Sequence, residues 1–324
     1  MSTEQAADPQ KAANAALGKF FELIKQGYSR CLHYNMDCKK DAIRAHSIQN
    51  NKVLDLLQRD NHVIVPKNKI IAGKATAEFG PLGRHQASTF TGLCAEHDTE
   101  LFKLADTLPL DTGNKEQLNR YAYRAGMREM HACVEAGGRF FALEAENIKK
   151  GITKPITPNA AGIAALEFSM RAWRVFRYRT KYFDKPILAG TEPPVEHHII
   201  DLENQTPSVA VSSLFSVGQA QKNDILGVML TVVPVSATKT TALVSYATDQ
   251  VDAVKNALPY LFDANADKKT VLSENILQRV ENFVLAPAFY DGWSEEKKKN
   301  VQKFFNDSAM KVVAPRPGQD LLLF

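Results

Sequence analysis

Three of the four cysteines, Cys31, Cys38 and Cys94, fall in the first third of the chain, and His97 follows the last of them three positions on. They make two short-spaced pairs, Cys31 with Cys38 and Cys94 with His97, joined by a long loop. Each pair can supply two soft or borderline ligands from one local turn, which is how a closed tetrahedral zinc site is assembled. Spacing of three at the start of a helix brings Cys94 and His97 to one side. The Cys31–Cys38 separation is wider than a usual knuckle, so that loop must return on itself. The blander reading, three small buried hydrophobes and a surface histidine, leaves the double pairing without a reason.

Two further residues have the chemistry of a hydrolytic centre. His46 lies between the pairs in Arg44-Ala45-His46-Ser47-Ile48, an apolar–polar alternation that suits a strand. A neutral imidazole there can activate water. Asp98 directly follows His97 and so points to a different side of the helix, where a carboxylate can hold Mg²⁺ or Mn²⁺ against a scissile phosphate. Asn50 and Asn51 lie just past His46, in position to orient it.

The order cysteine pair, Ala-His-x-Ile, long loop, then Gly92-Leu93-Cys94-Ala95-Glu96-His97-Asp98 with Leu101-Phe102 resembles the HNH endonuclease family, the ββα-metal finger, over about residues 28–105. The resemblance implies zinc on Cys31, Cys38, Cys94 and His97, with His97 in place of the usual last cysteine. It implies His46 as general base, Asp98 as the helix-borne ligand of a catalytic Mg²⁺ or Mn²⁺, and DNA or RNA as substrate. The motif departs from the family by the extra Ser47 in Ala-His-Ser-Ile. It also carries Ser88-Thr89-Phe90-Thr91 where a central asparagine is usual. A second assignment within it gives His97 to the catalytic metal alongside His46 and leaves Cys31 and Cys38 as ordinary residues. The alternative function is a non-enzymatic, zinc-stabilised binding or regulatory protein with a degenerate finger.

These residues need a scaffold. The chain has 324 residues, 44% of them hydrophobic, enough for one large domain or two ordinary ones. A net charge of +4 permits a nucleic-acid partner without arguing for one. No apolar run is long enough for a bilayer and the polar start has no secretory pattern, so a cytoplasmic protein without a membrane partner is expected. Four cysteines are too few for a disulfide framework in a chain of this length.

Pro9–Gln26 reads as a helix with Leu17, Phe20, Phe21 and Ile24 on one stripe, an arm for the body or for a second copy in a homo-oligomer. Short strands at 63–65 and 69–72 and a helix over 93–104 belong to the finger segment. Residues 111–150 read as one long helix or two, with Gly137-Gly138 as the breaker, and 158–182 as another. Pro186, Gly190, Pro193 and Pro194 mark a boundary. Beyond it, 209–217, 225–235 and 240–247 are rich in β-branched residues and predict one antiparallel sheet, the last two a hairpin. Helices follow at 249–261, 272–283 and 294–307.

The organisation is thus an arm (1–27), a zinc-binding finger (28–106), a helical region (107–185) and a sheet with helices (186–324). The fold class is α+β: a helical N-terminal part around a zinc-bearing ββα-like finger, then an antiparallel β-sheet with helices. Arg171, Arg174, Arg177 and Lys181 share one face of the 158–182 helix with aromatic neighbours, a pattern that can grip a phosphate backbone. It is equally the pattern of an amphipathic helix with snorkelling arginines. Glu129 and His131 are two apart on a helix and diverge, which excludes a carboxylate-bridged metal pair. His197 and His198 should face opposite ways next to a strand. Cys133 reads as core.

Overall fold

The computed structural model describes residues 30–35, 37–71, 74–151, 160–219, 224–308 and 313–324. The amphipathic arm over 9–26, and the oligomer contact expected of it, lie outside the described residues.

The elements run in the following order. Strand β1 (Ala45–His46) is followed by β2 (His62–Ile71), β3 (Lys74–Gly83), β4 (Thr89–Phe90), and helices α1 (Ala95–Thr107), α2 (Lys115–Lys149) and α3 (Ala160–Arg179). Then come β5 (Val195–Glu203), β6 (Val209–Gln219), β7 (Ile225–Pro234), β8 (Lys239–Ala247), α4 (Val251–Ala257), α5 (Lys268–Arg279), β9 (Phe283–Leu285) and α6 (Glu295–Ser308). The protein is mixed α and β. A seven-stranded antiparallel sheet has the order β3-β2-β9-β6-β7-β8-β5, and β1 and β4 make a separate two-stranded ribbon. Among the described residues no helix is long and apolar enough to cross a membrane.

The three β-branched segments form the centre of the sheet, and β7 and β8 are a hairpin closed through Pro234 and Thr240. Nearly every residue of these two strands is buried, because helices cover both faces. On one face α2 and α3 meet Leu214 and Met229. On the other, α4, α5 and α6 bury Val228, Leu230 and Val244. Edge strand β5 alternates between buried and exposed instead, as a strand with one wet face does.

Three elements differ from the sequence reading, and a fourth, α2, resolves an alternative it left open. The two short strands expected at 63–65 and 69–72 fall on one strand, β2, which forms a hairpin with β3, and Ile64 pairs with Leu285. Segments 28–106 and 186–324 therefore share one sheet. The helix expected through Phe283 ends at Arg279, and Phe283–Leu285 is a strand between β2 and β6. Glu196, His197 and His198 lie within β5 rather than before it. Of the one helix or two read over 111–150, the structure has one: α2 runs unbroken through Gly137-Gly138 for 35 residues. A side chain at Gly137 would meet Ser169 Oγ at 3.3 Å, so the glycine allows α2 and α3 to cross closely.

Two histidines are held neutral by the packing. His197 Nε2–H donates to Asn119 Oδ1 at 3.0 Å, and its Nδ1 receives the Ser245 hydroxyl at 2.7 Å. Burial pushes His197 and His131 each down to about 4. The unfolded chain therefore binds more protons between about pH 4 and 6.5. Stability is fully present above pH 6.5 and is lost as pH falls through that window, by ~3 kcal/mol for each histidine at its acid end. The urea midpoint should drop steeply between pH 6.5 and 4.5, and His197→Gln should flatten that drop. An equal slope in wild type and variant would show that His197 is not the group responsible.

Candidate metal centre

The Cys31–Cys38 loop returns on itself, as its spacing requires. Arg30 pairs antiparallel with Asp41, and Cys31 N–H donates to Lys40 O at 3.2 Å. Both arms of this knuckle then grip the strand leading to the second pair. Leu32 N–H donates to Gly92 O and Ile43 N–H to Leu93 O, each at 2.8 Å. Gly92 is required there, since a Cβ would lie 2.4 Å from the Phe90 ring. Outside, the Lys40 ammonium pairs with the Glu96 carboxylate.

Cys94 is the N-cap of α1 and has extended backbone angles. His97 is therefore at the third helical position, whose side chain naturally reaches back to the cap. One donor atom from each of Cys31, Cys38, Cys94 and His97 lies within 4.8 Å of the others. His97 Nδ1 is 3.3 Å from the Cys31 sulfur and 3.4 Å from the Cys94 sulfur. A tetrahedral zinc with bonds of about 2.3 Å to sulfur and 2.0–2.1 Å to nitrogen separates such donors by roughly 3.6 Å. The donor set and its spacing thus fit zinc. Burial pushes the Cys31 thiol up to about 12. Burial also raises Cys94, but the backbone N–H groups of His97 and Glu96 and the Cys31 and Cys38 side chains outweigh it, and the net shift is downward.

His33 was not singled out by the sequence. Its ring stacks on His97 at 3.6 Å between centroids and 11° between planes. Its Nδ1–H donates to Asn35 Oδ1 at 2.8 Å. His33, His97 and Glu100 also bring donor atoms within 4.8 Å of one another. Parallel stacked rings aim their lone pairs side by side and cannot both point at one ion, so this trio buttresses the His97 ring.

His46 and Thr89 are partners in the β1–β4 ribbon. The chain then leads through Phe90–Leu93 into α1, so the local order is strand, strand, helix. His46 Nε2 donates to Arg84 O at 3.1 Å. A carbonyl only accepts, so the neutral ring keeps its lone pair on Nδ1. Burial lowers the His46 pKa below the usual histidine value. The asparagines expected to orient it do not: Asn50 Nδ2 contacts His85 Nδ1 at 3.2 Å. The extra residue Ser47 is buried, bonds Ser88 O at 2.9 Å and receives Asn282 Nδ2 at 2.9 Å, which ties the ribbon to the sheet.

Asp98 is in the first turn of α1, and burial pushes its carboxyl up to about 6. Its charged neighbours are Arg124 and Asp106, which also act on His46. Those two form a bidentate pair at 2.8 and 2.6 Å, with Arg124 over the Phe102 ring. The sequence held no sign of this pair, because 18 residues separate its members. Among the described residues no hydrogen bond or ion pair joins His46 to Asp98.

The basic face of α3 is largely committed. Arg171 pairs with Glu129 at 2.6 Å, Arg177 with Asp224 at 3.0 Å, and Lys181 with Asp249 at 2.8 Å. Arg174 has no carboxylate partner among the described residues, and its Nε is buried without an acceptor.

No protein-family model matches the chain, and neither a curated protein nor a solved structure is similar to it at a significant level.

Proposed function

We propose that the chain is a zinc-stapled, metal-dependent nucleic-acid endonuclease of the ββα-metal kind. The observation that carries this reading is the state of His46. It sits on a strand of a ribbon that leads directly into the Cys94–His97 helix, and its Nε2 is committed to Arg84 O. That leaves Nδ1 as the base that would take a proton from water. The position of His97 Nδ1 near two sulfurs favours its role as zinc ligand over the catalytic-metal assignment. A divalent cation on Asp98 would supply charge stabilisation for the phosphate and leaving oxygen. Nucleic acid would need to open an ion pair to use Arg171, Arg177 or Lys181, which leaves Arg174 as the ready contact of that face.

A second reading is favoured by the Arg124–Asp106 pair beside Asp98 and by the lack of a bond between Asp98 and His46. In it the protein keeps the zinc as a staple and binds a partner without cutting.

One experiment separates the two. Purified protein is assayed for zinc and then for plasmid nicking and RNA cleavage with Mg²⁺, Mn²⁺ or Ni²⁺. The endonuclease reading expects cleavage that His46→Ala lowers by about 10²–10⁴-fold while zinc content and circular dichroism stay unchanged. Because both His46 and Asp98 must be deprotonated, activity should fall on the acid side. Zinc-loaded wild-type protein that cuts no DNA or RNA with any of these ions selects the binding reading.

A further inference from the structure

A cavity of about 490 Å³ opens beside β6, where α3 and the end of α5 approach the strand. Four arginines and two ion-paired acids stand in or beside it, and Glu281 acts on Arg171 without an ion pair among the described residues. Arg171 is neutralised by Glu129, and Arg177 by Asp224. Arg174 and Arg279 are left over. Arg174 enters from α3 with its Nε buried and unsatisfied. Arg279 enters from α5, on the opposite side of the sheet, and its Nε–H donates to Asn275 Oδ1 at 3.2 Å, its one side-chain hydrogen bond among the described residues. Burial lowers Arg279, and no acid acts against that shift. Its guanidinium lies 6.0 Å from the centroid of the Phe215 ring.

Two half-buried guanidiniums facing one cavity, with no ion-pair partner among the described residues, are costly unless an anion joins them. After the two ion pairs cancel, Arg174 and Arg279 remain as positive charges, offset in part by Glu281. A phosphate monoester carries about −1.5 to −2 near neutral pH, with three acceptor oxygens. Guanidinium forks match that geometry. The volume exceeds what a bare oxyanion needs and falls within the usual range of small-molecule sites, roughly 300–1,000 Å³. Val175, Leu214 and Phe215 give it an apolar wall for an organic group.

We propose that this cavity binds a phosphomonoester dianion, with Arg174 and Arg279 as its clamps. The site is separate from the zinc centre and from His46, and it stands whether or not the chain cleaves nucleic acid. Two sources share this chemistry: a free small-molecule phosphate and the 5′-phosphate end of a nucleic acid.

The test is isothermal titration of the full chain at low salt. The probes are inorganic phosphate, AMP, a 5′-phosphorylated tetranucleotide, its 5′-hydroxyl twin, and succinate. Wild type should bind inorganic phosphate and bind AMP or the phosphorylated oligomer more tightly, and whichever of the two is tighter identifies the source. Arg174→Gln and Arg279→Gln should each weaken phosphate binding about tenfold or more, as loss of one charged hydrogen-bonding partner does. Arg139→Gln, on an exposed pair far along α2, should leave it unchanged. The two clamps sit on different helices, so if one variant misfolds the other still decides. Absence of phosphate binding, equal affinity in a folded clamp variant, tighter binding of succinate, or equal affinity for the two tetranucleotides with none for AMP would overturn the proposal.

Discussion

Protein purified without chelator should carry one zinc per chain, and Cys94→Ser should lose it together with the order of the first third. In small zinc peptides the metal supplies about 10–16 kcal/mol of apparent folding free energy, more than most whole domains hold in reserve. Here the large sheet has its own apolar core, so the loss should be local rather than global. Hydrogen exchange should rise over the knuckle at 30–43 and the first turn of α1, where Leu32, Ile43 and Cys94 are tied together through the 92–93 segment. Exchange in β7 and β8 should change little. Zinc affinity should fall with falling pH, because the metal must displace the proton of Cys31, a thiol that burial holds up to about 12. A zinc-free wild type with a normal exchange pattern would remove the staple from the account, as would a Cys94→Ser protein that keeps its zinc.

Asp184→Ala should destabilise the protein by about 3–5 kcal/mol, the usual cost of removing one partner from a buried ion pair. Arg179 and Asp184 are both almost fully buried, and Arg179 Nε–H donates to Asp184 Oδ2 at 2.9 Å. Tyr123 on α2 donates its hydroxyl to the same carboxylate at 2.9 Å. Burial alone would lower Arg179, but Asp184 and Tyr123 outweigh it and the net shift is upward. Without the carboxylate the guanidinium keeps the desolvation cost and loses the compensation. The other end of Arg179 reaches Leu32 O at 2.9 Å, one residue from Cys31. The same variant should therefore loosen the zinc knuckle, with faster zinc loss to a chelator. Combining Arg179→Met with Asp184→Leu should recover much of the stability, since an apolar pair has no charge to desolvate, but not the tether to Leu32. A shift in urea midpoint worth under ~1 kcal/mol for Asp184→Ala would place the pair among screened surface pairs, contrary to its burial.

The candidate metal set was legible because zinc ligands come in short-range pairs. Cys94 and His97 need only one helical turn, and Cys31 and Cys38 one returning loop. The central hairpin was legible for a similar reason: β7 and β8 are β-branched runs separated by a turn, and their register follows from the turn. Helices α1 to α3 announced themselves by apolar spacing. The hydrogen bond that sets the His46 tautomer, by contrast, is made to Arg84 O, which lies 38 positions away. Strand β9 is three residues long, too short for periodicity to register, and it is a strand only because β2 and β6 stand on either side of it.

The charged groups show the same division. By itself the sequence determined that Arg171, Arg174, Arg177 and Lys181 share a helical face, because the 3.6-residue period is a local property. Only the tertiary structure decided which of them meet an acid. Glu129, Asp224 and Asp249 arrive from α2, from the start of β7 and from the turn before α4, and Arg174 is left beside a cavity that Arg279 enters from the other side of the sheet. Spacing along the chain fixes which side chains travel together. Which opposite charges neutralise them depends on how distant segments pack, and that is set by burial of the apolar faces of the sheet and helices, not by the charges themselves.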